Sequence, residues 1–251
     1  MSFEEGNRMQ YPIIKIVSDT ALAVVFGNEI SREIITQIRA FDEAFNEEQI
    51  DGIYETVPTY CALTIHYDPA QILYGELCEK IRALLAVAHQ AARMSIVVME
   101  IPVLYGGEYG PDLEKVASHS GLSPEEVIKI HSSREYLIYM LGFTPGFSYM
   151  GGMDKTIATP RLKTPRVLIP AGSVGIAGEQ TGIYPIDSPG GWNLIGRTPV
   201  HLYDANRDTP ILLDAGMHVK FIPVDETEYL RIKGRVEAGR YHCHTYVKGD
   251  E

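Results

Sequence analysis

The chain has 251 residues, 45% hydrophobic and 22% charged, with a formal net charge of −11. That is a globular composition, long enough for one large domain or two smaller ones, and its acidic balance argues against nucleic acid as the main partner, because phosphate binding needs clustered Lys and Arg. Three cysteines without paired spacing (Cys61, Cys78, Cys243) are no disulfide framework, the acidic start MSFEEGNRMQY is no signal peptide, and no apolar run approaches the roughly 18 residues that span a bilayer, so a cytoplasmic protein without membrane contact is expected.

The first part reads as alternating strands and helices in the order ββαββαβ. Residues 13–17 and 21–26 are strand candidates. Ile30, Ile34, Ile35, Ile38, Phe41 and Phe45 then recur at helical spacing behind Ser31, a candidate N-cap. Cys61, Leu63, Ile65 and Tyr67 alternate with polar or small neighbours, the mark of a half-buried strand. Asp68-Pro69 predicts a capped helix start, with Leu73, Leu77, Ile81, Leu84 and Ala88 as its stripe. A further strand begins at Ser95. These elements predict an α+β domain over 1–92, with the boundary near Arg93.

The texture then changes. Residues 112–119 predict a short helix ended by Gly121, and Ser123-Pro124-Glu125-Glu126 is a capping box opening a second. Beyond Ser132 the pattern turns to short strands among many Gly and Pro, with 136–141, 173–177, 194–203 and 218–224 as the best candidates. A mainly β barrel or sandwich over 93–251 follows.

Familiar catalytic signatures are largely missing. There is no Walker A loop, and Gly172, Gly175 and Gly178 do not make a dinucleotide fingerprint. Ala171-Gly172-Ser173-Val174-Gly175 misses the nucleophile elbow by one residue, which argues against Ser173 as a nucleophile. His242-Cys243-His244 has no second cluster to complete a metal site, so a solvated terminal strand is expected there and no metal. His131 reads as a satisfied core histidine. The tripeptide Thr-Pro-Arg occurs at 159–161 and again at 164–166, and Arg197-Thr198-Pro199 closes a stretch with seven glycines and the chain's single tryptophan, Trp192. Arginine grips carboxylate or phosphate at two points, and an adjacent proline fixes where the side chain starts. A rigid surface loop with solvated charges accounts for the same spacing equally well. Gln180, Thr181, Tyr184 and Ser188 add neutral donors and acceptors, suiting a small molecule with amide and carboxylate groups; a set of barrel turns, with Trp192 plugging the barrel end, is the other reading.

The segments LGFTPGFSYMGG (141–152) and IPAGSVGIAGEQTGIYPIDSPGGWNLIGRTP (169–199), with the linking Pro-Arg pairs, resemble the 5-oxoprolinase B-subunit family, also called the KipI or allophanate hydrolase subunit 1 family. The resemblance runs along essentially the whole chain. It implies that the second domain is a cyclophilin-like β-barrel. It further implies a protein that acts with 5-oxoprolinase subunits A and C as an ATP-dependent 5-oxoprolinase on a small anionic amide, with ATP as co-substrate of the complex and no cofactor bound by this chain alone. A kinase-inhibiting branch of the family implies a sensor histidine kinase as an alternative partner, and urea carboxylase and allophanate-linked enzymes a third setting. Carried onto the matching positions, Phe143, Pro145, Gly146 and Phe147 form one lip of a site, and Gly172, Gln180, Tyr184, Ser188, Gly190 and Trp192 the other. Arg161 and Arg166 face an anionic group, and Arg197 orders the loop.

Overall fold

The structure, a computed structural model, describes residues 11–88 and 96–249, so the acidic N-terminal stretch, the strand start at Ser95 and the expected boundary near Arg93 lie outside the described residues. Two compact units lie on either side of residues 89–95.

The first unit is a four-stranded antiparallel sheet with two helices. Strands β1 (Ile13–Ser18), β2 (Ala21–Val25), β3 (Ile53–Pro58) and β4 (Ala62–Tyr67) are arranged β1-β2-β4-β3. Leu22 and Val24 of β2, with Leu63, Ile65 and Tyr67 of β4, share one core with Ile38, Phe41 and Phe45 of helix α1 (Arg32–Glu47) and Leu77 and Ile81 of α2 (Tyr74–Ala88). The α1 start follows its capping signal: Ser31 Oγ accepts from the Ile34 amide at 3.2 Å. The start of α2 differs from the expectation. Asp68 accepts from the Ala70 amide and from Gln71 Nε2, both at 2.9 Å, so it builds a tight turn rather than a cap. The helix begins only at Tyr74, and Leu73 is left 69% exposed.

The second unit is a closed seven-stranded barrel with a two-stranded ribbon and three helices. Strands β5 (Ile96–Tyr105), β6 (Glu135–Leu141), β7 (Ser148–Gly151), β9 (Ser173–Ala177), β10 (Gln180–Ile183), β12 (Asn193–Arg197) and β13 (His218–Pro223) run β12-β9-β10-β7-β6-β13-β5. The ring closes where Gly196 and Arg197 pair with Tyr105 and Leu104. All pairings are antiparallel except β13 beside β5. Strand β14 (Thr245–Lys248) extends the other end of β5, and β8 (Arg166–Ile169) pairs with β11 (Ser188–Gly190) as the separate ribbon. The inward residues include Ile101, Val103, Tyr136, Ile138, Met150, Val174, Ile176, Ile183, Ile195, Val219 and Phe221. Leu113, Val116 and Ala117 of α3 (Leu113–Ser120) and Val127 of α4 (Pro124–Ser132) join that core. Helix α4 carries the expected capping box, Ser123 with Glu126.

Two expectations for this half are corrected. The strand proposed over 194–203 stops at Arg197, because Thr198 Oγ1 accepts from the Val200 amide and turns the chain. A helix, α5 (Glu226–Glu237), stands where none was expected. Its start is capped by Asp225, which accepts from the Glu228 amide at 2.8 Å. Only Tyr229 and Ile232 of its residues are buried, too thin a stripe to show as helical periodicity.

Candidate functional site

Side-chain alternation splits the barrel wall into two faces. Met150, Ile176, Ile183 and Ile195 point inward, so their neighbours Tyr149, Ala177, Tyr184 and Leu194 face out, where they meet Phe147, Trp192 and Ile169 of the ribbon in a second cluster. Trp192 therefore does not plug the barrel end; it lies between the outer wall and the β8–β11 ribbon. The aromatic rings meet edge to face, Phe147 with Tyr184 at 5.2 Å, Phe147 with Trp192 at 5.5 Å, and Tyr184 with Trp192 at 6.3 Å between centroids.

Two glycines of the second motif are required by close approach. A Cβ on Gly190 would lie 2.3 Å from the Tyr184 hydroxyl. Gly172, at φ +80°, would put a Cβ 2.4 Å from the Thr198 carbonyl, and its own amide donates to the Tyr184 carbonyl at 2.7 Å. The glycine density thus brings main chain against one tyrosine from two directions. Burial pushes the Tyr184 hydroxyl up to about 12, while a hydrogen bond from the Trp192 main chain and the charges of Arg161 and Arg166 pull the other way. At neutral pH the group is a neutral phenol beside two guanidinium groups.

The two arginines differ in how they are held. Arg166 donates to Asp112 Oδ1 at 2.8 Å and to the Trp192 carbonyl at 3.3 Å. The second oxygen of Asp112 accepts from the Leu194 amide at 2.7 Å, and the Asp112 amide donates to the Leu194 carbonyl at 2.9 Å. Asp112 stands at the N-cap position of α3 but makes no side-chain cap, because both carboxylate oxygens are spent on β8 and β12. Arg161 is exposed. Its segment is strapped down by the Leu162 amide on the Gly191 carbonyl at 2.7 Å and by Asn193 Nδ2 on the Pro160 carbonyl at 2.9 Å. Lys115 Nζ donates to Asn193 Oδ1 at 2.7 Å.

The structure thus brings Phe147, Arg161, Arg166, Tyr184, Ser188, Gly190 and Trp192 into one neighbourhood. Ser188 pairs with Ile169 in the ribbon, and its Oγ is buried without a hydrogen-bond partner. Phe143 sits at the edge, 63% exposed and at φ +68°, its ring 5.7 Å from Phe147. Pro145 is exposed on the same turn, while Gly146, at φ +81°, packs toward Ile211 and Pro185. Gln180, at the start of β10, stands directly opposite Ala177, a member of the outer cluster. Arg197 is elsewhere, its guanidinium carbon 5.5 Å from the Tyr109 ring centroid. Ser173 is buried and donates to the Pro170 carbonyl at 2.7 Å, a structural hydroxyl. Sequence reasoning missed Asp112, Tyr149, Asn193 and Lys115. Asp112 was legible only as a helix start, and nothing in the spacing tied it to a residue 54 positions later.

His131 is fully buried in the barrel. Its Nε2 lies 2.8 Å from Thr181 Oγ1 and its Nδ1 2.8 Å from the Tyr105 hydroxyl. Thr181 Oγ1 donates onward to the Gly175 carbonyl at 3.0 Å, which assigns the ring proton to Nε2. Burial pushes this histidine down to about 3. At the C-terminus His242 is exposed, His244 Nδ1 lies 3.2 Å from Glu100 Oε2, and burial pushes the Cys243 thiol up to about 11. Among the described residues no group of three or more His, Cys, Asp or Glu could hold a metal ion, and no helix is long and apolar enough to cross a membrane.

A family model, "carboxyltransferase domain, subdomain C and D", matches residues 12–213. The chain is 43% identical over 226 residues to the 5-oxoprolinase B subunit of Bacillus subtilis (strain 168), covering 86% of this chain and 94% of that one. A solved structure of the protein TTHA0988 is 39% identical with a TM-score of 0.74; the match covers 82% of this chain and 40% of that longer chain. The urea amidolyase of K. lactis is 20% identical with a TM-score of 0.76, covering 94% of this chain and 16% of that one, a likeness of fold alone.

Proposed function

The chain belongs to the family of carboxyltransferase domains, subdomain C and D, among the 5-oxoprolinase B-subunit proteins, and on that premise we propose that it works as the B component of an ATP-dependent 5-oxoprolinase. The observation that carries this reading is identity sustained along nearly the whole length of a protein of that name. The partners are 5-oxoprolinase subunits A and C, the substrate is 5-oxoproline, and the products are L-glutamate, ADP and phosphate. The seven-stranded closed barrel supports the cyclophilin-like type that the family resemblance implies. Chemistry that consumes ATP and the unpaired cysteines support a cytoplasmic setting.

A five-membered lactam is a stabilised amide. Phosphorylation of its amide oxygen by ATP creates a leaving group, so water can then attack a carbon it otherwise reaches slowly. Such a reaction needs a carboxylate grip, fixed positive charge near the phosphoryl group and exclusion of water until the right step. This chain has no nucleotide-binding loop of a known type. The site is therefore composite, and this chain supplies charge and wall. Arg161, exposed beside Tyr184, takes the anionic group. Arg166, clamped by Asp112, is a fixed charge that positions the Trp192 main chain. Tyr184 offers a neutral phenol in an aromatic wall made by Phe147, Tyr149 and Trp192.

Mixing the purified chain with subunits A and C and measuring 5-oxoproline-dependent ADP release tests this directly. Release only when all three are present supports the assignment. No release, together with inhibition of a histidine kinase by this chain alone, replaces it with the binding-module reading.

A further inference from the structure

Residues 192–194 are held from the first turn of α3. Asp112 accepts from the Leu194 amide at 2.7 Å and from Arg166, which also donates to the Trp192 carbonyl at 3.3 Å. Lys115, one turn further on, reaches the residue between them: its Nζ donates to Asn193 Oδ1 at 2.7 Å. The Asn193 side chain is fully buried, and its Nδ2 donates to two main-chain carbonyls, Pro160 at 2.9 Å and Ile176 at 3.2 Å. One carboxamide thus ties α3, strand β9 and the residue before Arg161 together.

These partners leave the carboxamide a single orientation. A carbonyl oxygen only accepts and an ammonium only donates, so the NH2 group faces Pro160 and Ile176 and the oxygen faces Lys115. Turned over, the amide would set its oxygen against two carbonyls and its hydrogens against a cation. Lys115 is exposed, and among the described residues no carboxylate forms an ion pair with it, although Glu114 precedes it. A surface lysine gives up rotamer freedom to hold this contact, and the effect falls on the Pro160 carbonyl. Arg161 follows directly, exposed and likewise without an ion pair to a described carboxylate. Its start is set by two straps, Pro160 on Asn193 and the Leu162 amide on the Gly191 carbonyl at 2.7 Å. Only the first of them depends on a side chain.

We propose that Lys115, acting through the Asn193 carboxamide, is a positioning residue for the Arg161 loop. The ammonium fixes which way the amide faces, and the amide fixes where Arg161 starts. That the loop serves an anionic substrate rests on the oxoprolinase reading; the mechanical coupling of Lys115 to the loop does not.

Two measurements separate these. Timed trypsin digestion of the full chain alone, read by mass spectrometry, follows cleavage after Arg161 and Lys163. ADP release by the complex assembled with subunits A and C gives kcat and the KM values for 5-oxoproline and ATP. Lys115→Met removes the donor at a site where little else is buried. Cleavage at both bonds should rise at least about threefold. KM for 5-oxoproline should rise about tenfold, with kcat and the KM for ATP nearly unchanged. Lys115→Arg can still donate to Asn193 Oδ1 and should restore both readouts. Asn193→Asp keeps an acceptor for Lys115 but loses both donors, so it should loosen the loop although its ion pair with Lys115 is stronger than the contact it replaces. Unfolding midpoints establish that each variant is folded. Unchanged cleavage in a folded Lys115→Met or Asn193→Asp protein overturns the coupling, as does failure of Lys115→Arg to restore it. Faster cleavage with an unchanged KM for 5-oxoproline, or with kcat falling instead, overturns its role in substrate binding. If the wild-type complex releases no ADP, the oxoprolinase reading fails, and the digestion still decides the coupling.

Discussion

The Asp112 carboxylate accepts from the Arg166 guanidinium at 2.8 Å with one oxygen and from the Leu194 amide at 2.7 Å with the other. One side chain thereby fixes the start of α3 to both the ribbon and the barrel wall. Its side chain is 10% exposed and that of Arg166 30%. Removing either partner strands a largely buried charge. Asp112→Asn is expected to destabilise the protein by about 2–3 kcal/mol in urea unfolding. Arg166→Ala should lower both the unfolding midpoint and ADP release by the assembled complex. Full activity in Arg166→Ala would remove this arginine from the site.

Gly190 and Tyr184 should be energetically coupled. A Cβ at 190 would collide with the Tyr184 hydroxyl at 2.3 Å and approach Ile169 Cδ1 at 2.8 Å. Gly190→Ala is expected to cost about 1–3 kcal/mol through overpacking and to lower ADP release. Adding Tyr184→Phe removes the atom met first, so the double variant should recover part of the lost stability. Strict additivity in the double-mutant cycle would show that the two positions do not touch.

Stability should depend on pH through His131. In the folded chain burial pushes it down to about 3 from the ordinary 6.5. The unfolded chain takes up the proton near 6.5 and the folded chain does not. The contribution is therefore complete above about pH 6.5 and is lost as pH falls toward 3, with a slope of about 1.4 kcal/mol per pH unit inside that window. Urea midpoints between pH 7 and 5 should fall for the wild type and change less for His131→Gln, which starts lower at pH 7. Parallel profiles for the two proteins would argue against a buried neutral histidine.

Phe143 tests strain against function. It is a non-glycine residue at φ +68° whose ring stands 63% exposed beside Phe147. Phe143→Gly releases backbone strain of about 1 kcal/mol, which offsets the entropic cost of a glycine, so the unfolding midpoint should hold or rise. ADP release should nevertheless drop, because the ring borders the aromatic wall. An unchanged rate would leave Phe143 without a role at the site.

How much of this was legible in the sequence depends on how local the cause is. Ser31 and the Ser123–Glu126 box announced two helices, because a cap acts within three residues. Asp68-Pro69 misled, because the same acceptor geometry serves a turn as well as a helix start. Helix α5 escaped notice because only Tyr229 and Ile232 face a core. The aromatic and arginine residues of the site were visible as types within two motifs. Their grouping was not, since Arg197 shares the motif with Tyr184 yet lies elsewhere.

The sequence by itself determined the α+β beginning, the β-rich remainder, the capped starts of α1 and α4 and the family, since each rests on local spacing or on long specific motifs. Only the tertiary structure decided which side of the barrel wall Tyr184 and Trp192 occupy and that Asp112 holds Arg166. Those outcomes depend on ring closure between β5 and β12, a contact between strands some ninety residues apart. Strand parity about that closure, and nothing in the neighbouring letters, sets which side chains face each other.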